Sequence, residues 1–302
     1  MSSRPRLYRL IVDQTLITDD VRKEWTADDP YVVDWIPNDP LKGFNYSPGL
    51  KWVIVMICAF STLATSMSAT LFAGAIPQLM SYFEIAEEVA TLTVCLFVLG
   101  FALGPVVWGP LSELYARQAI YLVTMGGSVV FEGPSIACHR PDVAALLVLR
   151  FLAGAFSSAA IANSPAIVSD LFIPAEQGIP IMAYMMFPFL GPTLGPICGN
   201  FFGAGAGWRW VNVLCALCFA VMFTLGLIFL PETYAPYMLR RRAAALSKAT
   251  GDIYISKLDV AMPPKRLGAT LSTAIQRPLV MLVTEPISTA LAIWAALIYG
   301  TL

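Results

Sequence analysis

The chain has 302 residues, of which 57% are hydrophobic and only 13% charged, with a formal net charge of −1. Soluble domains average about 25% charged residues, so this composition excludes an ordinary soluble domain. No basic stripe interleaved with aromatics appears in the sequence, and no nucleic-acid partner is expected.

Residues 1–50 read as a cytosolic tail. Asp19-Asp20, Asp28-Asp29-Pro30 and Asn38-Asp39-Pro40 are turn and cap signals, and the stretch has too little apolar surface to close a core. The segment 7–18 fits either a strand or a transient helix. A hydrocarbon core about 30 Å thick needs about 20 apolar residues per helix. Runs over 52–76, 89–108, 119–138, 143–168, 179–203 and 210–230 meet that need. Residues 231–285 are polar again, with Pro263-Pro264 inside a charged stretch, and predict a cytosolic linker. Within it, 240–248 has the pattern of a basic amphipathic helix on the inner membrane surface. A seventh apolar run, 286–302, sits near the lower length limit for a span. No cleavable signal opens the chain, so the first span is expected to serve as its own insertion signal.

Orientation follows from the placement of Lys and Arg. Arg4, Arg6, Arg9, Arg22, Lys23, Lys42 and Lys51 precede the first span. Arg240, Arg241, Arg242, Lys248, Lys257, Lys265, Arg266 and Arg277 follow the sixth, and only Arg117, Arg140, Arg150 and Arg209 lie between. An even number of spans puts both basic stretches on one face, predicted to be cytoplasmic. The loop 169–178 runs against this pattern, because it carries Asp170 and Glu176 and no base. The six cysteines lie in or beside apolar runs without metal-site spacing, and read as small packing residues.

Three constellations carry mechanism. The break Gly109-Pro110-Leu111-Ser112-Glu113-Leu114-Tyr115-Ala116-Arg117-Gln118 holds an acid and a base between two spans. Arg150 and Glu132 lie at similar depth in neighbouring runs, where an isolated charge costs several kcal/mol unless it faces protein or water. Three roles are open to Glu132: a structural partner for Arg150, a proton carrier, or a lipid-facing acid with a raised pKa. Arg150 also has the option of snorkelling to the nearer interface. Gly191, Gly195 and Gly199 recur every four residues and make one bare stripe along a helix, which lets another helix approach closely. Pro192 and Pro196 in the same run remove backbone donors and permit bending. Asn163, in the fourth run, either lines a cavity or hydrogen-bonds a neighbouring helix. His139 is the only histidine, and no nucleophile or carboxylate arrangement accompanies it, so no enzyme, cofactor or metal is expected.

These residues resemble the major facilitator superfamily, on its drug:proton antiporter branch. Gly109, Leu111, Glu113 and Arg117 match the family's cytoplasmic loop signature, with Ala116 and Gln118 departing from it. Leu149-Arg150-Phe151-Leu152-Ala153-Gly154 matches its fourth-helix motif. Gly191-Pro192-Thr193-Leu194-Gly195-Pro196-Ile197-Cys198-Gly199-Asn200 matches the fifth-helix motif of antiporters, with Asn200 in place of a glycine. Trp208-Arg209-Trp210-Val211 and Pro231-Glu232-Thr233-Tyr234-Ala235-Pro236 look like fungal multidrug or toxin exporters. The resemblance implies an all-α membrane protein of two six-helix bundles, of which this chain supplies one, the linker and a partial seventh helix. It implies proton-coupled efflux of small amphipathic organic compounds from a multi-pass protein in the plasma membrane, with the N-terminus cytoplasmic. Glu113 and Arg117 would gate, Arg150 would line the cavity, and the glycine stripe would pack and bend the fifth helix. The second bundle would come from a longer chain or from a second copy in a homodimer. A membrane remnant or scaffold that transports nothing is the reading from a different class.

Overall fold

In the computed structural model, residues 31–35, 39–250, 254–261, 276, 280–281 and 284–301 are described. The segment 7–18 lies outside them. The chain divides into two compact units, Met1–Pro263 and Pro264–Leu302. In the second, one helix, α11 (Pro286–Thr301), carries the seventh apolar run and exposes Ile287, Leu291 and Trp294.

The first unit is a helical bundle. Its helices are α1 (Pro48–Leu71), α2 (Ile76–Phe83), α3 (Glu87–Leu114), α4 (Arg117–Ser135), α5 (Val143–Ser157), α6 (Ala159–Leu171), α7 (Gly178–Ala206) and α8 (Trp208–Phe229). A 3-10 turn, Phe72–Ala75, joins α1 to α2, and α5 runs into α6 at Ser158. Local chemistry marks the ends. Pro48 opens α1 at a position where its missing N–H is no loss. Glu87 and Glu88 sit in the first turn of α3, where negative charge suits the helix dipole. Gly207 turns the chain between α7 and α8 with φ 90°, a conformation that favours glycine.

Among the described residues, five segments are long and apolar enough to cross a membrane: Pro48–Phe83, Glu87–Leu114, Arg140–Leu171, Gly178–Ala206 and Trp208–Phe229. The predicted third span is a helix too, but α4 does not reach that apolarity. Gly126, Gly127, Ser128, Glu132 and Gly133 dilute its 19 residues. Packing compensates, because α4 lies against α5 and α8 and buries its polar positions inside the bundle.

Small residues set the helix crossings. A Cβ on Gly191 would meet Ser66 Oγ at 2.0 Å, one on Gly195 would meet Thr70 Oγ1 at 2.0 Å, and one on Gly199 would meet Leu71 O at 2.0 Å. The stripe on α7 is thus filled by the Ser66, Thr70 and Gly74 side of the first span. The α3/α5 crossing repeats the device: a Cβ on Gly100 would meet Phe151 O at 2.2 Å, and one on Gly154 would meet Phe97 O at 2.2 Å. In the α4/α8 pair, Gly226 faces the Tyr121 ring and Gly126 faces Phe223. The first span therefore pairs with the fifth, the second with the fourth and the third with the sixth. That pattern is unchanged when the first three spans are exchanged with the last three, as expected of an internal inverted repeat.

At the end of the bundle where α1 begins, hereafter the tail face, Val33, Trp35 and Asp39 return against helix α9 (Ala235–Thr250). Strand β1 (Tyr31–Val33) pairs in parallel with β2 (Tyr254–Ser256), and a short helix, α10 (Lys257–Ala261), follows. Two expectations change here. The tail does take part in a core, because Val33 and Trp35 pack with Leu239, Ala243, Leu246 and Tyr254. Alone it lacks the apolar surface to do so; it borrows the stripe of α9 from 200 residues further on. By the same contact, the apolar face of the predicted membrane-surface helix 240–248 is covered by protein and not free to lie on lipid.

Candidate gating and coupling sites

The first charge site is dry. Arg150 and Glu132 side chains are both 0% exposed, with Nη1 2.6 Å from Oε1. Arg150 Nη2 donates to Ser68 O at 2.9 Å and Nε to Thr93 O at 3.4 Å. The guanidinium lies 3.9 Å from the Phe72 ring centroid and 4.4 Å from that of Phe97. The break between α1 and α2 helps to build this site: the Phe72 N–H turns to Thr70 O, while Ser68 O accepts from Arg150. Five donors on a planar ion suit this role, since they satisfy several acceptors while the faces stack on aromatics. Arg150 does not snorkel. It lies wholly inside this bundle, drawing α1, α3, α4 and α5 together. Of the roles open to Glu132, the structure places it as the partner of Arg150 and away from lipid. Ser135 Oγ stands 3.5 Å from its second oxygen.

The second charge site lies at the tail face. Helix α3 continues to Leu114, so Gly109 and Glu113 are helical and the predicted break shrinks to Tyr115 and Ala116. Ala116 is extended, with φ −178° and ψ 142°. That residue separates Glu113 from Arg117, which would otherwise be neighbours one helical turn apart. Glu113 is exposed, and Arg117 pairs with Asp170 at the end of α6, Nε to Oδ2 2.5 Å. Glu232 completes the arrangement from beyond α8. Its carboxylate accepts from Arg117 N at 3.1 Å and Gln118 N at 3.2 Å, capping α4. It also accepts from Thr233 N and Tyr234 N, and Tyr234 places its ring 5.0 Å from the Arg117 guanidinium. Burial pushes the Glu232 carboxyl above its ordinary range, against the pull of those four N–H groups. Tyr46 donates its hydroxyl to Leu41 O and Glu232 O, and burial pushes that hydroxyl up to about 12, so it stays a donor.

The α7 residues are placed as the stripe implies: Gly191, Gly195 and Gly199 are buried, while Pro192 and Pro196 lie beside them, half-buried. Asn163 on α6 is buried, and neither polar atom of its side chain finds a hydrogen-bond partner among the described residues. Among the described residues, no three of His, Cys, Asp or Glu gather closely enough to hold a metal ion. Between α1 and α8 runs a groove of ≈ 320 Å³ lined by Trp52, Val53, Met56, Ile57, Phe60, Met222, Leu225 and Phe229, without a charged group.

For three residues of these networks the sequence does not show the partner. Asp170 reads as an exception to the positive-face pattern until its partner is seen. Glu232 belongs to a recognisable motif, yet its target lies 115 residues earlier. Arg209, beside Trp208, donates to Ile136 O, Cys138 O and Tyr82 OH, tying α2 and α8 at the end opposite the tail.

Comparison with known proteins decides the family. Residues 58–302 match the Major Facilitator Superfamily. The chain belongs to that family. It is 39% identical over 303 residues to the efflux pump FUBT of Fusarium oxysporum, covering 99% of this chain and 51% of the relative. It is 41% identical over 300 residues to the major facilitator superfamily multidrug transporter mdrA of Aspergillus fumigatus, covering 98% of this chain and 49% of that one. The chain thus spans about half the length of these curated relatives. Among solved structures, the proton:xylose symporter XylE superposes with a TM-score of 0.53 at 16% identity, over 68% of this chain and 50% of that one. At that identity the likeness shows the fold alone. Membership of that family makes the chain a helical, multi-pass membrane protein and a transporter-family member, not an enzyme.

Proposed function

We propose that the chain is one six-helix bundle of a proton-coupled efflux transporter for small amphipathic organic compounds. The observation that carries this reading is that nearly the whole of this chain matches about half of a protein named as an efflux pump, at 39% identity, and half of one named as a multidrug transporter, at 41%. The glycine stripe locked into the first span and the apolar groove between α1 and α8 support it. Transport needs a second bundle, because alternating access moves one bundle against another around a shared site. Either a second half or a second copy of this chain supplies it. Helix α7 exposes Met182, Met186, Ile197 and Phe201 on the side away from its stripe, a face suited to lipid or to another bundle.

In this reading the tail face is cytoplasmic in the plasma membrane, as the Lys and Arg distribution supports. Arg117, with Asp170 and Glu232, forms the gate, and Glu113 and Gly109 belong to the same segment. The switching half of such a gate must be stable enough to bias a conformer and weak enough to open, which half-buried charge supports. Arg150 and Glu132 hold the bundle's polar centre, and Glu132 carries the coupled proton only when that pair opens. Asn163 offers its unpaired amide to substrate.

The deciding experiment measures efflux of fluorescent amphipathic compounds from cells expressing the 302-residue chain, with and without a protonophore, beside Arg117→Ala. Gradient-dependent efflux lost in the variant supports transport by paired copies. A well-inserted chain without efflux, alone or co-expressed with a second facilitator half, sinks the reading.

A further inference from the structure

The described residues between β1 and α1 touch both acids of the tail-face charge site, Asp170 and Glu232. Asp39 is 2% exposed and pairs Oδ2 with Arg242 Nη1 of α9 at 2.7 Å. A buried carboxylate of that kind is tolerable only with such a partner. Its other oxygen accepts from Leu41 N, and its carbonyl accepts from Asn45 Nδ2 at 2.9 Å, which fixes the turn. That turn presses Gly43 onto the backbone of Asp170, where a Cβ would meet Asp170 O at 2.6 Å. Three residues later Tyr46 reaches Glu232 O. Upstream, Val32 pairs opposite Ile255, Asp34 pairs with Lys257, and Trp35 lies under the Arg242 guanidinium at 5.4 Å. Asp34 and Asp39 therefore meet two bases of the segment that follows α8, and Gly43 and Tyr46, just beyond them, lie against the carbonyls of both acids that hold Arg117.

We propose that residues 31–35 and 39–46 are a built-in ligand of residues 235–250 and 254–261, and that this clasp holds the Arg117, Asp170 and Glu232 gate assembled. The occupant is the chain's own acidic, extended tail. Recognition uses the means by which exposed strand edges take up peptides: backbone pairing for affinity, with side-chain pockets and charges for selectivity. The consequence is mechanical. The N-terminal tail, the segment leading away from the sixth span and the gate form one body, so release of the tail loosens the gate. The inference goes beyond the efflux reading and holds whether or not the chain transports.

The test uses the full chain in membranes. A cysteine at Gln118→Cys, half-buried beside Glu232, reports on the gate, and one at Ser128→Cys, fully buried in α4, reports on the bundle. Background from native cysteines is taken from the parent chain. Arg242→Asp and Val33→Asp, each breaking the clasp at a different point, should speed maleimide labelling at position 118 about fivefold, within the range for residues of one ion-pair network. Position 128 should stay silent. Adding Asp39→Arg to Arg242→Asp should restore slow labelling. A bismaleimide should also join Val32→Cys to Ile255→Cys in the otherwise unaltered chain. Unchanged labelling at 118, acceleration at both positions, or no cross-link would overturn the proposal.

Discussion

The two charge sites of this bundle use the same pair of ions to opposite ends. Arg150 and Glu132 are sealed between four helices, stacked on two aromatic rings and bonded to two backbone carbonyls. Arg117 and Asp170 sit at a helix end with 11% and 23% of their side chains exposed, and a third residue, Glu232, works on the backbone beside them. In the dry site, breaking the pair strands a charge in the low-dielectric interior, so the pair behaves as a strut. At the rim both ions keep part of their side chains in water, so breaking the pair strands less charge, as the proposed latch requires. Burial sets the two sites apart.

The strongest way to break this comparison is Arg150→Ala. It leaves Glu132 buried without a counter-ion and should destabilise the solubilised chain by about 3–5 kcal/mol, read as a lowered unfolding midpoint and a loss of folded yield. Glu132→Leu with Arg150→Met should recover most of that loss, because matched apolar replacement of a buried pair is often neutral. If the single and double variants were equally damaged, packing of the guanidinium between Phe72 and Phe97 would be its main role.

Next in size is the glycine crossing that surrounds the strut. Gly199→Ala drives a Cβ into the Leu71 carbonyl, and backbone cannot swing aside as a side-chain tip can. A cost of about 1–3 kcal/mol is expected. Gly109→Ala is the control: nothing lies within 4 Å of its Cβ position, and the residue is helical. Alanine there should be neutral or stabilising by up to about 1 kcal/mol, measured on the same unfolding scale.

At the rim, Asp170→Asn removes the counter-ion of Arg117 and should cost about 1.5 kcal/mol, in the range for a hydrogen bond to a charged group. Glu232 gives the same site a pH dependence. Its folded-state pKa lies above the ordinary 4.5, so the folded rim holds that proton more tightly than the unfolded chain does. Its contribution is fully present below about pH 4.5 and is lost as the pH rises through the raised value. Acidification should therefore slow labelling of a cysteine at position 118. Glu232→Gln, which keeps the acceptor oxygen and loses the titration, should flatten that profile.

Much of the strut was legible in the sequence. An Arg and a Glu at matched depth in neighbouring apolar runs have few alternatives to each other, and small residues every fourth position announce a close crossing. The rings of Phe72 and Phe97 were not legible, because nothing in a local pattern says which aromatic faces a distant guanidinium. The latch was half legible. Arg117 stood out, but proximity along the chain pointed to Glu113, and the extended Ala116 that separates them is a two-residue detail without a composition signal. Asp170 and Glu232 come from 53 and 115 residues away. The tail was misjudged for a related reason: Val33 and Trp35 complete a core only with an α9 stripe that local reading assigns to the membrane.

The smallest expected effect separates the two views of the rim most cleanly. Glu113 is exposed on the last turn of α3, and its side chain forms none of the ion pairs among the described residues. Glu113→Ala should change stability by less than about 0.5 kcal/mol, as exposed substitutions away from special features do, and leave labelling at position 118 untouched. Asp170→Asn should move both. If Glu113→Ala instead matched Asp170→Asn, Arg117 would be shared between the two acids in membranes, with Glu113 as the partner of an alternative conformer. The rim would then hold two latches for one base, and the extended Ala116 would be the hinge between them.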